Sequence, residues 1–158
     1  MKKLCLLISF LVSTSSFAGE IESGSYKPFD IIANDFSMNN KPAFSISFGK
    51  TTNDYFSLSV QCRAFDKKSS KTSTKDNPSD PEISLEYMNN DKNQFMVSDS
   101  KFDDHVNLEV LIKDKTFIFV VDGKLYDTKS NSLYTIHKQN IVVSANEMRE
   151  IRNGCSKR

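Results

Sequence analysis

The chain has 158 residues, with 21 Lys and Arg against 20 Asp and Glu, 38% hydrophobic residues, three cysteines and no tryptophan. So even a charge balance gives no bulk electrostatic reason to seek nucleic acid or an anionic membrane. Beyond the N-terminus the longest purely apolar run is residues 117–121, far too short to span a bilayer.

Lys2 and Lys3 supply a basic start, residues 4–12 an apolar stretch, and Ser16, Phe17 and Ala18 a small-x-small site before Gly19. That order predicts a secretory signal peptide over residues 1–18. Cleavage after Ala18 leaves 140 of the 158 residues, enough for one domain over 19–158. The leader holds two lysines and no acid, so its loss takes the net formal charge from +1 to −1. A lipoprotein needs cysteine after the cleavage point, where this chain has Gly19. The expected address is therefore the bacterial periplasm, or secretion beyond it.

Residues 19–40 are polar, with apolar islands at 29–32 and Phe36, and predict a loose start that tightens toward a first edge strand. From Ala43 the pattern has period two. Phe44, Ile46 and Phe48 alternate with serines, and after a turn at 49–53 so do Phe56, Leu58, Val60 and Cys62. These are the clearest hairpin in the chain. Residues 66–81 contain no apolar side chain and predict a long solvated loop, a flexible connector or a partner contact through Lys67, Lys68 and Lys71. Strands follow around Ile83–Tyr87, Phe95, Val106–Ile112 and residues 116–121, with turns at 89–93, bearing Asn89 and Asn90, and at 113–115. Asp122 and Gly123 predict a two-residue hairpin turn, with Leu125 and Tyr126 opening the return strand and another strand over 133–143. Ser144 and Glu147 form a capping box before a helix whose inner stripe is Met148, Ile151 and Cys155, with Gly154 as its left-handed stop. The expected fold is mainly β: an antiparallel, sandwich-like domain with one C-terminal helix.

Cleavage removes Cys5 and leaves Cys62 and Cys155 in an oxidising compartment, where thiols pair. Both lie on inward-facing stripes, so a disulfide should staple the helix to the sheet. In the chain-entropy account a loop of this length is worth roughly 4–5 kcal/mol. No CxxC or Cys/His spacing suggests a metal or a reactive thiol.

The run from Phe56 through Cys62 to Arg63, followed by a distant helix from Met148 to Cys155, resembles the TagO/VasI envelope proteins that accompany type VI secretion systems. They too tie a strand cysteine to one after a C-terminal helix. The likeness covers the chain from about residue 56 onward. The absence of tryptophan and the polar insertion at 66–81 depart from it. It implies an architecture and a setting, and transfers no functional residue.

Little else in the chain carries chemistry. His105 follows Asp103 and Asp104, but adjacent side chains on a strand point oppositely and cannot converge on one ion. His137 is expected to face solvent. Nucleophile elbows, zinc-protease helices and phosphate loops are missing, so no catalytic residue, metal or cofactor is assigned. Phe44, Phe48, Phe56, Phe117 and Phe119 read as core, whereas Tyr26, Tyr55, Tyr126 and Tyr134 are placed to be exposed. Tyrosine favours interfaces because it offers area and a hydrogen bond together. The expected function is non-enzymatic protein binding: an immunity or inhibitor protein that plugs an envelope-acting toxin or hydrolase. Its candidate contacts are Lys67, Lys68, Lys71, Tyr55, Asn89, Asn90, Asp122 and Gly123. An accessory of a secretion apparatus and a small secreted enzyme or ligand carrier are the alternatives.

Overall fold

A computed structural model describes residues 19–65, 71–89, 94–96, 103–113, 116–127 and 129–156. The leader, Lys67, Lys68 and Asn90 lie outside these residues. In chain order the strands open with β1 (Gly19–Ile21), β2 (Gly24–Tyr26), β3 (Asp30–Ile32) and β4 (Ser37–Met38). Next come β5 (Lys41–Thr51), β6 (Asp54–Gln61), the helical turn α1 (Cys62–Phe65) and β7 (Lys71–Ser73). A 3-10 turn (Thr74–Asp76) precedes β8 (Ile83–Met88), β9 (Gln94–Met96), β10 (His105–Lys113), β11 (Thr116–Asp127) and β12 (Ser132–Val143). Helix α2 (Ala145–Ser156) closes the chain.

The serine-alternating hairpin forms as the period-two pattern requires. In β5 and β6, Phe44 lies opposite Val60, Ile46 opposite Leu58 and Phe48 opposite Phe56. All six are buried. Their outward neighbours are serines, and Ser45 and Ser57 share a hydroxyl contact of 3.2 Å. β8 and then β9 extend this half from β6, while β3 and β4 line the other side of β5. The second half runs β7, β10, β11, β12, with β1 and β2 parallel to β12 along its far edge. Among the described residues a single pairing, Met96 with Tyr126, joins the halves through β9 and β11.

The inner faces share one core, in which Phe44 of one half meets Phe119 of the other edge to face at 6.2 Å. Phe65 of α1 stacks on Phe119 and meets Phe44 at 5.9 Å. α2 buries Met148 and Ile151 in the same core. Its capping box is present: Ser144 donates its N–H to Glu147 at 2.7 Å, and Glu147 donates its own to Ser144 Oγ at 3.3 Å. Cys62 and Cys155 form the disulfide, with Cα atoms 5.5 Å apart. The staple starts one residue past β6, in α1, because the chain leaves the strand at Gln61. Cys62 nevertheless stays buried.

Several sequence expectations are corrected. Asp122 and Gly123 are no hairpin tip. They sit inside β11, which runs on through Leu125 and Tyr126 and pairs on both sides. Gly123 has φ +152°, and a Cβ there would lie 2.1 Å from the His105 carbonyl oxygen. The glycine serves a close approach of backbones, which an Asp-Gly dipeptide signals no less than a turn. The return comes between Asp127 and Ser132. There Asp127 accepts hydrogen bonds from the backbone of Lys129 and Ser130 and from the Ser130 hydroxyl. Burial pushes the Asp127 carboxyl up, but those donors outweigh it and its pKa ends below the ordinary value.

Gly154 is likewise no left-handed stop. It is buried within α2, and a Cβ there would lie 2.3 Å from the Ala33 carbonyl oxygen. Tyr126 is 7% exposed, its hydroxyl donating to the Asn131 side chain. The N-terminal stretch is also tighter than expected, since β1 pairs from Gly19 itself.

The polar segment 66–81 is ordered wherever it is described. β7 pairs with β10, Thr74 is buried and accepts the Val106 N–H at 3.0 Å, and Ser73 and Asp76 cap the 3-10 turn reciprocally. Asp80 accepts hydrogen bonds from Lys41 and, at 2.7 Å, from Arg63. Hydrogen bonds and ion pairs replace apolar burial in ordering this segment, and a hydrophobicity pattern cannot register them.

Candidate functional site

The outward face of the β7–β10–β11–β12 half carries a structured polar surface. Strand register sets its rows. Lys71, Glu109, Val120 and Asn140 form one, and Ser73, Asn107 and Asp122 the next. A further row, Leu111, Ile118 and Val142, is apolar. Val121 pairs with Gln139 but Gly123 with Ile136, so Asp122 faces two residues of β12, His137 and Lys138. This is a β-bulge, which adds a residue to one strand and re-aims its side chains. Beyond it the buried row of β12 passes from Ile136 to Gln139 and Ile141. The buried Gln139 amide donates to the His137 carbonyl at 2.6 Å and the Glu22 carbonyl at 2.8 Å, tying the bulge to the link between β1 and β2.

Two shallow grooves indent the face. One, of about 380 Å3, lies over Val120 between Lys71, Glu109 and Lys138. The other, of about 330 Å3, surrounds Gly123 and has His105, Lys124 and His137 in its lining. Asp122 and Lys138 line both and form the ridge between them. Most other charges on the face are matched. Lys71 meets Glu109 at 3.1 Å, His137 meets Glu20 at 3.2 Å, and Asp103 takes Lys124 at 2.8 Å and Lys75 at 3.3 Å. The Lys124 hydrogen bond, then that of Lys75, holds the Asp103 carboxyl down at about 2. Asp122 accepts the Asn107 amide at 2.8 Å. Among the described residues neither Asp122 nor Lys138 forms an ion pair.

Three of the candidate contacts, Lys71, Asp122 and Gly123, thus come together here, on strands rather than on a loop and a hairpin tip. Both histidines of the chain line the Gly123 groove, which sequence reasoning missed because the register of β10 on β11 and the bulge bring them there. His105 places Nδ1 3.2 Å from the Asp103 carbonyl. Among the described residues no three His, Cys, Asp or Glu are grouped to hold a metal ion.

Tyr55 and Asn89 lie elsewhere. Tyr55 meets Phe29 edge to face at 5.8 Å beside the edge strand β3, where Phe29 is 47% and Ile32 45% exposed. The Phe29 N–H donates to the Ser47 carbonyl at 3.0 Å, which fixes this apolar edge against β5. The apolar island at 29–32 and the expected exposure of Tyr55 were the sequence signals for it. Neither a family model, nor a curated protein, nor a solved structure matches the chain.

Proposed function

We propose that the protein is a non-enzymatic binding module of the bacterial periplasm. More narrowly, it is an immunity or inhibitor protein that occludes a toxin or hydrolase acting in the cell envelope, of the type VI effector class. The leader-like N-terminus supports the address. The observation that carries the binding role is the apolar edge at β3, where exposed Phe29 and Ile32 lie beside half-buried Tyr55 of β6. An aromatic pair and an aliphatic side chain beside a three-residue edge strand offer the anchors that dominate interface energies. They also offer backbone groups that an extended segment of the partner can pair with. Inhibition follows by steric plugging of the enzyme's cleft.

Deletion of the gene should sensitise cells to neighbours that deliver the toxin. The wild-type chain should restore protection. A folded Phe29→Ser, Tyr55→Ser variant should not, and should retain the captured enzyme about tenfold less well. Unchanged sensitivity on deletion, with no toxin or hydrolase recovered on the immobilised protein, would sink this reading. A second reading, an accessory of a secretion apparatus, is favoured by the disulfide between Cys62 and the C-terminal helix, an arrangement the TagO/VasI proteins share. It expects deletion to abolish secretion without self-intoxication.

A further inference from the structure

We infer that the grooved face of the β7–β10–β11–β12 half is the contact surface of a homodimer. The observation is the ridge between the two grooves, which carries one acid and one base, Asp122 and Lys138, on neighbouring strands. Neither has an ion-pair partner among the described residues, while Lys71 with Glu109 and Lys124 with Asp103 are matched within their own chain. The Asn107 amide orients the Asp122 carboxylate.

A two-fold contact is self-complementary: whatever residue i meets in its partner, the partner's copy of i meets in return. An axis through the ridge therefore brings Asp122 to Lys138 of the partner subunit, and Lys138 to Asp122 of the partner subunit. One ridge thus yields two reciprocal charge pairs and leaves no like charges opposed. The same contact closes over the groove beside the ridge, which Val120 floors. The residues are separate from the Phe29 edge, so this inference and the proposed inhibition stand or fall by different measurements.

Sedimentation velocity over a dilution series decides it, with protein purified from a host expressing the full chain. The wild type should reversibly form dimers that weaken as salt is raised, since the central contacts are ionic. Asp122→Lys alone and Lys138→Glu alone should each weaken association about tenfold or more, because each opposes like charges twice. The combined Asp122→Lys, Lys138→Glu protein restores the pairing in reverse and should dimerise again. That rescue also excludes misfolding as the reason the single variants fail. A wild type that sediments as a monomer throughout the series would overturn the inference. So would a dimer indifferent to both reversals, or a combined variant that fails to recover.

Discussion

Gly123 shows how much a single residue decides. Its hydrogen side chain lets the His105 carbonyl of β10 pass where a Cβ would sit 2.1 Å away, and its φ of +152° is one that L side chains rarely adopt. Gly123→Val should cost about 2–4 kcal/mol of stability, combining backbone strain with overpacking. Urea denaturation would show it as a lower midpoint at unchanged slope. Two ion-paired carboxylates make stability depend on acid. Hydrogen bonds from Lys41 and then Arg63 hold Asp80 down at about 2 against burial, and Asp103 sits equally low beneath Lys124 and Lys75. Because folding depresses both, their contribution is present above the ordinary value of 3.8 and drains away as pH falls through about 2. Both pairs are partly exposed, so the effect is modest and shrinks in salt. Replacing both aspartates by asparagine should flatten the stability curve over that interval. An unaltered curve would count against the ion pairs.

At the scale of elements, α2 is held by four devices. The Ser144–Glu147 box fixes its start, Met148 and Ile151 pack its middle, and Gly154 lets its end reach the Ala33 carbonyl before Cys155 is tied to Cys62. The sulfur bridge closes a separation of 93 residues. Substituting both cysteines by serine should therefore cost roughly 4 kcal/mol, a large part of a typical net stability of about 5–15 kcal/mol. Thermal unfolding under oxidising conditions tests it, and an equal melting temperature for the variant would refute it. The cap and the packed stripe were legible in the sequence because both are patterns within one helical turn or two. The role of Gly154 was not, since nothing local reveals which backbone a helix end will approach.

Across the whole molecule, the two halves cohere through side chains more than through backbone, for only Met96 and Tyr126 pair between them in the described residues. Phe119, fully buried against Phe44 and Phe65, is one such bolt. Phe119→Ala should cost about 3–5 kcal/mol, and far- and near-ultraviolet dichroism should still fall in one transition. Separate transitions would show that the halves unfold independently.

Period-two alternation from Phe44 to Val60 and from Val106 to Leu108 and the capping box are properties of neighbouring residues, and the amino-acid order alone determined them. Where strands pair is another matter. Register placed Asp122 beside Lys138 and brought His105 and His137 to one groove, and a bulge on β12 turned the side chains that line it. Ion pairs and capping ordered a segment that hydrophobicity had marked as loop. These outcomes belong to the tertiary structure because each depends on contacts between residues far apart in the chain, whose relative positions exist only once the core has closed.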